Sequence, residues 1–262
     1  MTATDRTPFE NLHTHTERCY WDVYQAAWMC PTVVPVPPAC PAPADTPLVD
    51  VRDMHVVHTA LLREFRLAPA AVQRVAAGER RQAGAVAGHV EFLCDLLHHH
   101  HTGEDELLWP LLRDRAPQAR RLVDDAQAQH ADLDEALHRV AELRTAWAAD
   151  PSAPTRELLA GQLEKVHTLL SDHLEMEERL LLPLAAAHVT EAEWRALGEA
   201  AVAALTKPQL MLTFGMFAYE GDPAVLRAML GGAPAVPRMI VPRVAPRVYA
   251  RRARLVHGTA RP

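Results

Sequence analysis

Two segments of the chain share an arrangement of a histidine, a glutamate four residues later, and a trailing Leu-Leu-x-Pro-Leu. The first pair is His100 and Glu104, and the second is His173 and Glu177. In an α-helix, residues four apart lie one turn apart on the same face, so each pair presents an imidazole and a carboxylate to one point. Such a pair is suited to binding a metal ion, and this sequence has it twice.

A single histidine precedes each pair at nearly the same distance. His58, followed by Leu61, lies 42 residues before His100, and His130, followed by Leu133, lies 43 residues before His173. The sequence therefore consists of two similar halves, each supplying one histidine and then a His/Glu pair. Together the halves offer four imidazoles and two carboxylates to one site.

The apolar residues around these positions recur at spacings of three and four from Val51 to about Ala186, which predicts four helices. The six candidate ligands fall on the apolar stripes. Breaks near Pro69 and Gly78, at Pro117 and within residues 150–154 predict short connections, so we expect an all-α, up-down-up-down four-helix bundle. Pro110 and Pro183 should kink the second and fourth helices just beyond their carboxylates.

Composition divides the chain into three predicted segments: 1–47, 48–188 and 189–262. The first is an extended strap or linker, since seven of the seventeen residues from Pro31 to Pro47 are proline; a short helix with an aromatic face is predicted ahead of it, from Asn11 to Cys30. The third segment predicts extra helices, one over Glu191–Leu205 and an apolar stretch over Pro208–Tyr219. We expect the aromatic face and the stretch Met211–Phe217 to pack on the bundle and restrict entry to the site.

The overall charge limits the class of protein. A net charge of −6 and a pI near 6.2 argue against a nucleic-acid or membrane-surface protein as a whole. No apolar run is long enough to span a membrane, and residues 1–12 lack the pattern of a signal peptide, which predicts a cytoplasmic protein. The last stretch, Gly231–Pro262, has seven arginines and no acid. It predicts a basic tail that forms a solvated amphipathic helix and pairs with the acidic bundle, with nucleic-acid or lipid contact as the alternative. The sequence does not identify a protein partner for it.

A glutamate on an apolar helix face costs several kcal/mol unless its charge is compensated, and two facing glutamates repel each other. A cation removes both penalties. Imidazole and carboxylate ligands suit iron, manganese or zinc, and the number of ligands fits two ions better than one. Each ion is expected to bind two histidines and both bridging glutamates, leaving open positions that on iron favour oxygen chemistry.

Several neighbouring residues have alternative interpretations. Only one of the four consecutive histidines from His98 to His101 is expected to face the bundle axis, and we assign His100. His55, His101 and Asp134 are groups beside the ligands or possible ligands, His55 as a replacement for His58. Asp105 and Glu178 follow the glutamates and point about 100° away from them, so outer-sphere or surface roles are expected. Residues 13–19 contain a small cluster that is either incidental or a second metal site: His13, His15 and Cys19.

The region from about Val51 to Ala186 resembles the hemerythrin-like family, also called HHE cation-binding domains. The resemblance rests on the lone histidines of helices one and three and the His-x3-Glu motifs of helices two and four. It implies a carboxylate-bridged non-haem diiron centre, with two iron atoms per chain bound by His58, His100, Glu104, His130, His173 and Glu177. The oxygen-carrying hemerythrins have two histidines one turn apart on the third helix, whereas this chain has Asp134 in the second of these positions. That difference favours turnover of oxygen or peroxide over reversible oxygen carriage.

Two functions follow from this resemblance. The first is an oxidoreductase that acts on O2, peroxide or a small-molecule substrate. Its substrate pocket and a nearby acid or base would come from the two flanking segments and from Trp109, Tyr20, Tyr24, His101 and Asp134. The alternative is a non-catalytic protein that binds, stores or senses iron, O2 or nitric oxide. A metal-free bundle, in which the His/Glu pairs serve the structure alone, is a third possibility.

Overall fold

The computed structural model describes residues 20–22, 27–29 and 47–262, and the chain divides after Asp45 into two compact units. In the first unit, strands β1 (Tyr20–Asp22) and β2 (Ala27–Met29) pair antiparallel, with Trp21 opposite Trp28. The helix predicted over Asn11–Cys30 is therefore wrong. Aromatic residues favour strands, which explains the pairing. The aromatic side chains, the proline-rich strap and the cluster at His13, His15 and Cys19 lie outside the described residues.

The second unit is all-helical among its described residues. Four long helices, α1 (Arg52–Gln73), α2 (Arg80–Gly103), α4 (Arg120–Ala149) and α5 (Ala153–Met176), form the bundle. Helices α1 and α4 each pack against both α2 and α5, so the four helices enclose one core. The predicted break at Gly78 is confirmed by its φ of +84°, but α1 runs through Pro69 to Gln73. Pro69 lies close to the end of α1, so only a few helical residues follow the backbone hydrogen bond that proline removes. Burial of the Pro69 side chain favours continuation of the helix.

Helices α2 and α5 do not end at Glu104 and Glu177, the carboxylates that follow them. Each continues through one π-helical segment, over Glu104–Leu108 and Glu177–Leu181, into the short helices α3 (Trp109–Arg115) and α6 (Leu182–His188). The N–H groups of Trp109 and Leu182 donate to the carbonyls of Glu104 and Glu177, five residues back. Pro110 and Pro183 follow directly, and the wider turn accommodates rings that clash with the normal α-helical ladder.

Four more helices follow the bundle, which confirms the predicted C-terminal helices. They are α7 (Glu191–Ala203), α8 (Lys207–Phe217), α9 (Pro223–Met229) and α10 (Ala235–His257). They belong to the same compact unit as the bundle; the segment boundary near residue 188 stays a prediction. Most of the predicted basic tail is α10, which packs on α8 and α2. No helix in the described ranges is long and apolar enough to cross a membrane.

The apolar core has two parts, with a layer of histidines and glutamates between them along the bundle. One part includes Leu61, Leu97, Leu133 and Leu170, together with Met216 of α8. The other includes Met54, Leu108, Val123 and Leu181, with Trp194 and Leu197 of α7. Helix α7 therefore packs beside the Glu104 segment. Helix α8, which carries the apolar stretch Met211–Phe217, packs instead against α10 and α1, where Arg63 donates to the carbonyl of Met216.

Candidate metal centre

Four potential ligands from three bundle helices form a first group. His58 of α1, His100 of α2, and the glutamates Glu104 and Glu177 each place one ligand atom within 4.8 Å of the others. His100 Nε2 lies 3.3 Å from Glu104 Oε1, and His58 Nε2 lies 3.6 Å from Glu177 Oε2. Each glutamate is the first residue of its π-helical segment, so the same local distortion follows both carboxylates.

Three histidines form a second group directly beside the first: His101, His130 and His173. The Nε2 atoms of His130 and His173 are 3.2 Å apart. The glutamates of the first group reach this group too, since Glu104 Oε2 lies 3.6 Å from His130 Nε2 and Glu177 Oε2 lies 3.6 Å from His173 Nε2. The two carboxylates therefore stand between two sets of imidazoles, as bridging ligands of a metal pair do.

His101 is a residue for which the sequence leaves two interpretations, a group beside the ligands or a possible ligand. Its side chain is buried and belongs to the second group, which agrees with the possible-ligand interpretation. An inward face more than 100° wide admits two consecutive residues of a helix, one at each edge. His100 faces His58, with ring centroids 5.1 Å apart, whereas His101 faces His130. The run of four histidines was the signal, and it supplies two inward imidazoles.

The remaining sequence candidates lie outside both groups. His55 is half exposed, and its Nδ1 is 3.2 Å from Glu178 Oε2. Asp134, the residue at the position of the second histidine of oxygen-carrying hemerythrins, contacts His98 near the surface at 3.3 Å. His99 is exposed. Neither His55 nor Asp134 belongs to the two groups, whereas His101 adds a third imidazole to the second group.

Outer acceptors fix the orientation of three imidazoles. His58 Nδ1 is 2.9 Å from Glu178 Oε1, and His130 Nδ1 is 3.1 Å from Asp105 Oδ2. His173 Nδ1 is 3.1 Å from Gln129 Oε1, a partner that the sequence gave no reason to select. An Nδ1–H that donates to these oxygens leaves the Nε2 lone pair directed into the site, which is the tautomer a metal requires. Asp105 and Glu178 thus have the outer-sphere positions expected of them.

The site's electrostatics disfavour charge in the absence of a cation. Burial, followed by the charge of Glu177, raises the pKa of Glu104 well above its ordinary value, and burial also raises the pKa of Glu177. Burial lowers the pKa of His100, His101 and His130, and it lowers that of His173 to about 3. These imidazoles are therefore neutral at pH 7, as metal-binding histidines are.

Buried polar atoms without hydrogen-bond partners indicate that these residues fit a bound cation. In the part of the chain that the structure describes, both carboxylate groups, both nitrogens of His101, and Nε2 of His58 and His100 are buried without hydrogen-bond partners. Buried polar groups without partners cost free energy and are rare in native proteins. Here they converge on two adjacent points, so metal ions would satisfy most of them at once.

A bundle of four helices that surrounds a layer of imidazoles and carboxylates defines a metal-binding helical protein. The family model of the hemerythrin HHE cation binding domain matches residues 46–185, more than half of the chain. The chain belongs to this family, which confirms the resemblance seen in the sequence and implies that it binds metal, typically iron. No curated protein and no solved structure matches the chain.

Proposed function

We propose that this protein is a non-haem diiron protein that binds or activates O2 or peroxide and acts as an oxidoreductase. The observation that carries the proposal is the position of Glu104 and Glu177 between two groups of imidazoles. Two ions sharing these carboxylates would have two imidazoles on one side and three on the other. Mixed imidazole and carboxylate ligands with an open position favour iron that reacts with oxygen.

Iron bound here would supply electron transfer to O2 or peroxide, and the protein's own residues would hold, orient and enclose the pair. Asp105, Gln129 and Glu178 keep three imidazoles in the tautomer that directs Nε2 inward. Trp109 is buried with its ring centroid 6.2 Å from that of His130, and its Nε1–H has no acceptor among the described residues. The indole N–H of Trp109 could therefore donate a hydrogen bond to a small polar ligand beside the second group.

The burial of the site favours small ligands over large substrates. His58, Glu104, His173 and Glu177 have no exposed surface, and His100 is the least buried potential ligand, with its side chain 10% exposed. The clefts beside α8 and α10 are lined by residues such as Tyr219, Tyr249, Leu212 and Arg247, all outside the metal centre. O2, peroxide and nitric oxide are small enough to enter through a transient opening.

The same burial also favours a second candidate function, the non-catalytic binding, storage or sensing of iron, O2 or nitric oxide. A carrier or sensor requires only that a diatomic molecule reach the iron. An oxidoreductase must also deliver protons and release product, which requires repeated exchange with solvent. The two functions therefore differ in turnover and agree in metal content.

The test begins with metal analysis of protein purified from iron-supplemented cells, together with absorption spectra before and after oxygen is admitted. We expect about two iron atoms per chain, in keeping with paired carboxylate-bridged sites. Glu104→Ala and Glu177→Ala should each abolish stoichiometric iron binding, because each removes a bridge. Catalytic consumption of peroxide by the iron-loaded protein would support the oxidoreductase; stoichiometric reaction alone would favour the carrier or sensor. Absence of bound metal would reject both.

A further inference from the structure

A second cluster of potential ligands lies outside the diiron centre and joins three helices. Glu64 of α1, His89 of α2 and His257 of α10 place one ligand atom each within 4.8 Å of one another. Glu64 and His89 are fully buried, and the side chain of His257 is only 5% exposed. Glu64 lies six residues after His58, about 9 Å farther along the helix. His257 lies beyond the region matched by the hemerythrin family, which ends at residue 185.

The two oxygens of Glu64 have different surroundings. Oε1 accepts a hydrogen bond from the Tyr249 hydroxyl at 2.5 Å and one from Arg63 Nε at 3.2 Å. Oε2 faces the two imidazoles, with His89 Nε2 at 3.0 Å and His257 Nε2 at 3.5 Å. The side chains of Tyr249 and Arg63 thus orient the carboxylate, and its second oxygen, which is hydrogen-bonded to His89 Nε2, is directed at both imidazoles.

His257 Nε2 and His89 Nδ1 are the two ring nitrogens of this cluster that hydrogen bonding leaves unexplained. Within the described chain both are buried without a hydrogen-bond partner, although His257 Nε2 is directed at Glu64 Oε2. Ligands about 2.1 Å from a tetrahedral zinc lie about 3.4 Å from one another. The spacing of 3.5 Å here matches the 3.3 to 3.6 Å between imidazole nitrogens and carboxylate oxygens in the diiron centre.

The local charge also permits a cation. Arg63 forms ion pairs with both Glu64 and Glu220, so these three groups together carry one net negative charge, and the positive charge of Arg252 also acts on His89. The end of α10 is well defined at this point, because Gly258 has a φ of +76° and its backbone N–H donates to the carbonyl of Arg254.

We propose that Glu64, His89 and His257 form a second, mononuclear metal site of the zinc type, which fastens the C-terminal helix α10 to the bundle. Two imidazoles and one carboxylate form a known zinc ligand set, with the fourth position taken by water or another small ligand. Two of the ligands come from the family's bundle and the third from the extension. The site therefore links the part of the chain that the family describes to the part it does not.

Zinc counting on the full-length protein tests the proposal. Protein stripped of metal is incubated with excess Zn²⁺ and freed of unbound ions, and the zinc in each chain is measured. His257→Gln should bind about one zinc equivalent fewer than the wild type, because it removes one of three protein ligands. His138→Gln, on the exposed face of α4, is the matched control and should retain the wild-type amount. Equal zinc in His257→Gln and the wild type would overturn the proposal. This difference does not depend on whether the diiron centre also takes zinc.

A second variant covers the case in which His257→Gln loses more than one equivalent because α10 detaches. His257→Cys keeps a ligand at the position but changes it to a thiolate, which gives bound Co²⁺ a thiolate-to-metal charge-transfer band in the near ultraviolet. Full-length wild-type protein loaded with Co²⁺ provides the background. A new band in the variant supports coordination at residue 257, and its absence overturns the site. A role of His257 in packing alone would produce no such band.

Discussion

The imidazole rings of His101 and His130 are stacked, with centroids 4.0 Å apart and planes 14° from parallel. His101 is also in edge contact with His173, at a centroid distance of 5.1 Å. Despite this crowding, both ring nitrogens of His101 are buried without a hydrogen-bond partner among the described residues. The arrangement is favourable when a cation lies among them, so His101 is best explained as a ligand.

Alanine substitutions along the histidine run test this assignment. We expect His100→Ala and His101→Ala to lose much of the bound iron, because each removes an imidazole from one of the two groups. His99→Ala should retain nearly all of its iron, since His99 is exposed on the outer face of α2. Iron per chain, measured after removal of unbound metal, decides the matter. Equal losses for the His99 and His101 variants would show that the orientation of this helix is wrong.

The carboxylates behind the histidines give a second prediction. Asp105→Ala removes the acceptor for His130 Nδ1, so the imidazole loses its fixed tautomer and orientation. Loss of such a partner typically lowers metal affinity about 10- to 100-fold. Glu106→Ala is the matched control, because Glu106 is exposed in the same π-helical segment. Competition with a chelator measures both affinities. Equal affinities in the two variants would assign Asp105 to the surface charge alone.

Metal binding should stabilise the fold. Without a cation, Glu104 and Glu177 are buried in contact with each other's charge, and their carboxylates have no partner in the described chain. A ligand that binds only the native state stabilises it by RT ln(1 + [L]/Kd). We expect iron to raise the midpoint of denaturant-induced unfolding, with Glu104→Ala showing little response to iron. A metal-free protein as stable as the loaded one would support a structural role for the His/Glu pairs.

Much of this site follows from the sequence because local periodicity determines it. The spacing of His100 with Glu104 and of His173 with Glu177 places each pair on one helix face, and the structure brings these residues together. His101 could not be assigned in this way, because whether a residue at the edge of a helix face points inward depends on how the neighbouring helices pack. Gln129 likewise has no sequence signal, since its contact with His173 joins two helices.

Contacts made over long sequence separations explain the other differences. The cluster of Glu64, His89 and His257 joins residues up to 193 positions apart, and no spacing in the sequence relates them. The wrong prediction at strands β1 and β2 has a local cause. This short segment has both helical periodicity and aromatic residues that favour strands. The proline in α1 was expected to end a helix, but burial of the surrounding residues outweighs the lost hydrogen bond.

The start of α7 should show a distinct pH dependence. Thr190 and Glu193 form a capping box, and the hydrogen bond from Arg115, followed by those from Thr190, lowers the pKa of Glu193 to about 2. A lowered carboxylate pKa stabilises the native state above the unfolded pKa, and this contribution disappears as the pH falls from about 4.5 towards 2. Glu193→Gln should therefore reduce the free energy of unfolding more at pH 6 than at pH 3. A reduction that does not vary with pH would rule out the ionised carboxylate as the cause.

Helix α7 also packs on α2 and on the π-helical segment that begins at Glu104. Leu197 Cδ1 would lie 3.2 Å from a Cβ built on Gly103, the residue directly before Glu104, and Leu197 belongs to the same core cluster as Leu108 and Trp109. We expect Leu197→Ala to speed the reaction of the iron-loaded centre with azide or peroxide, because it opens the side of the bundle next to His100. Iron content should remain unchanged, with a loss of stability of about 2 kcal/mol from the truncated leucine. Val202→Ala, on the exposed face of the same helix, is the control and should react at the wild-type rate. If Leu197→Ala also reacts at that rate, ligands enter elsewhere and α7 does not restrict their entry.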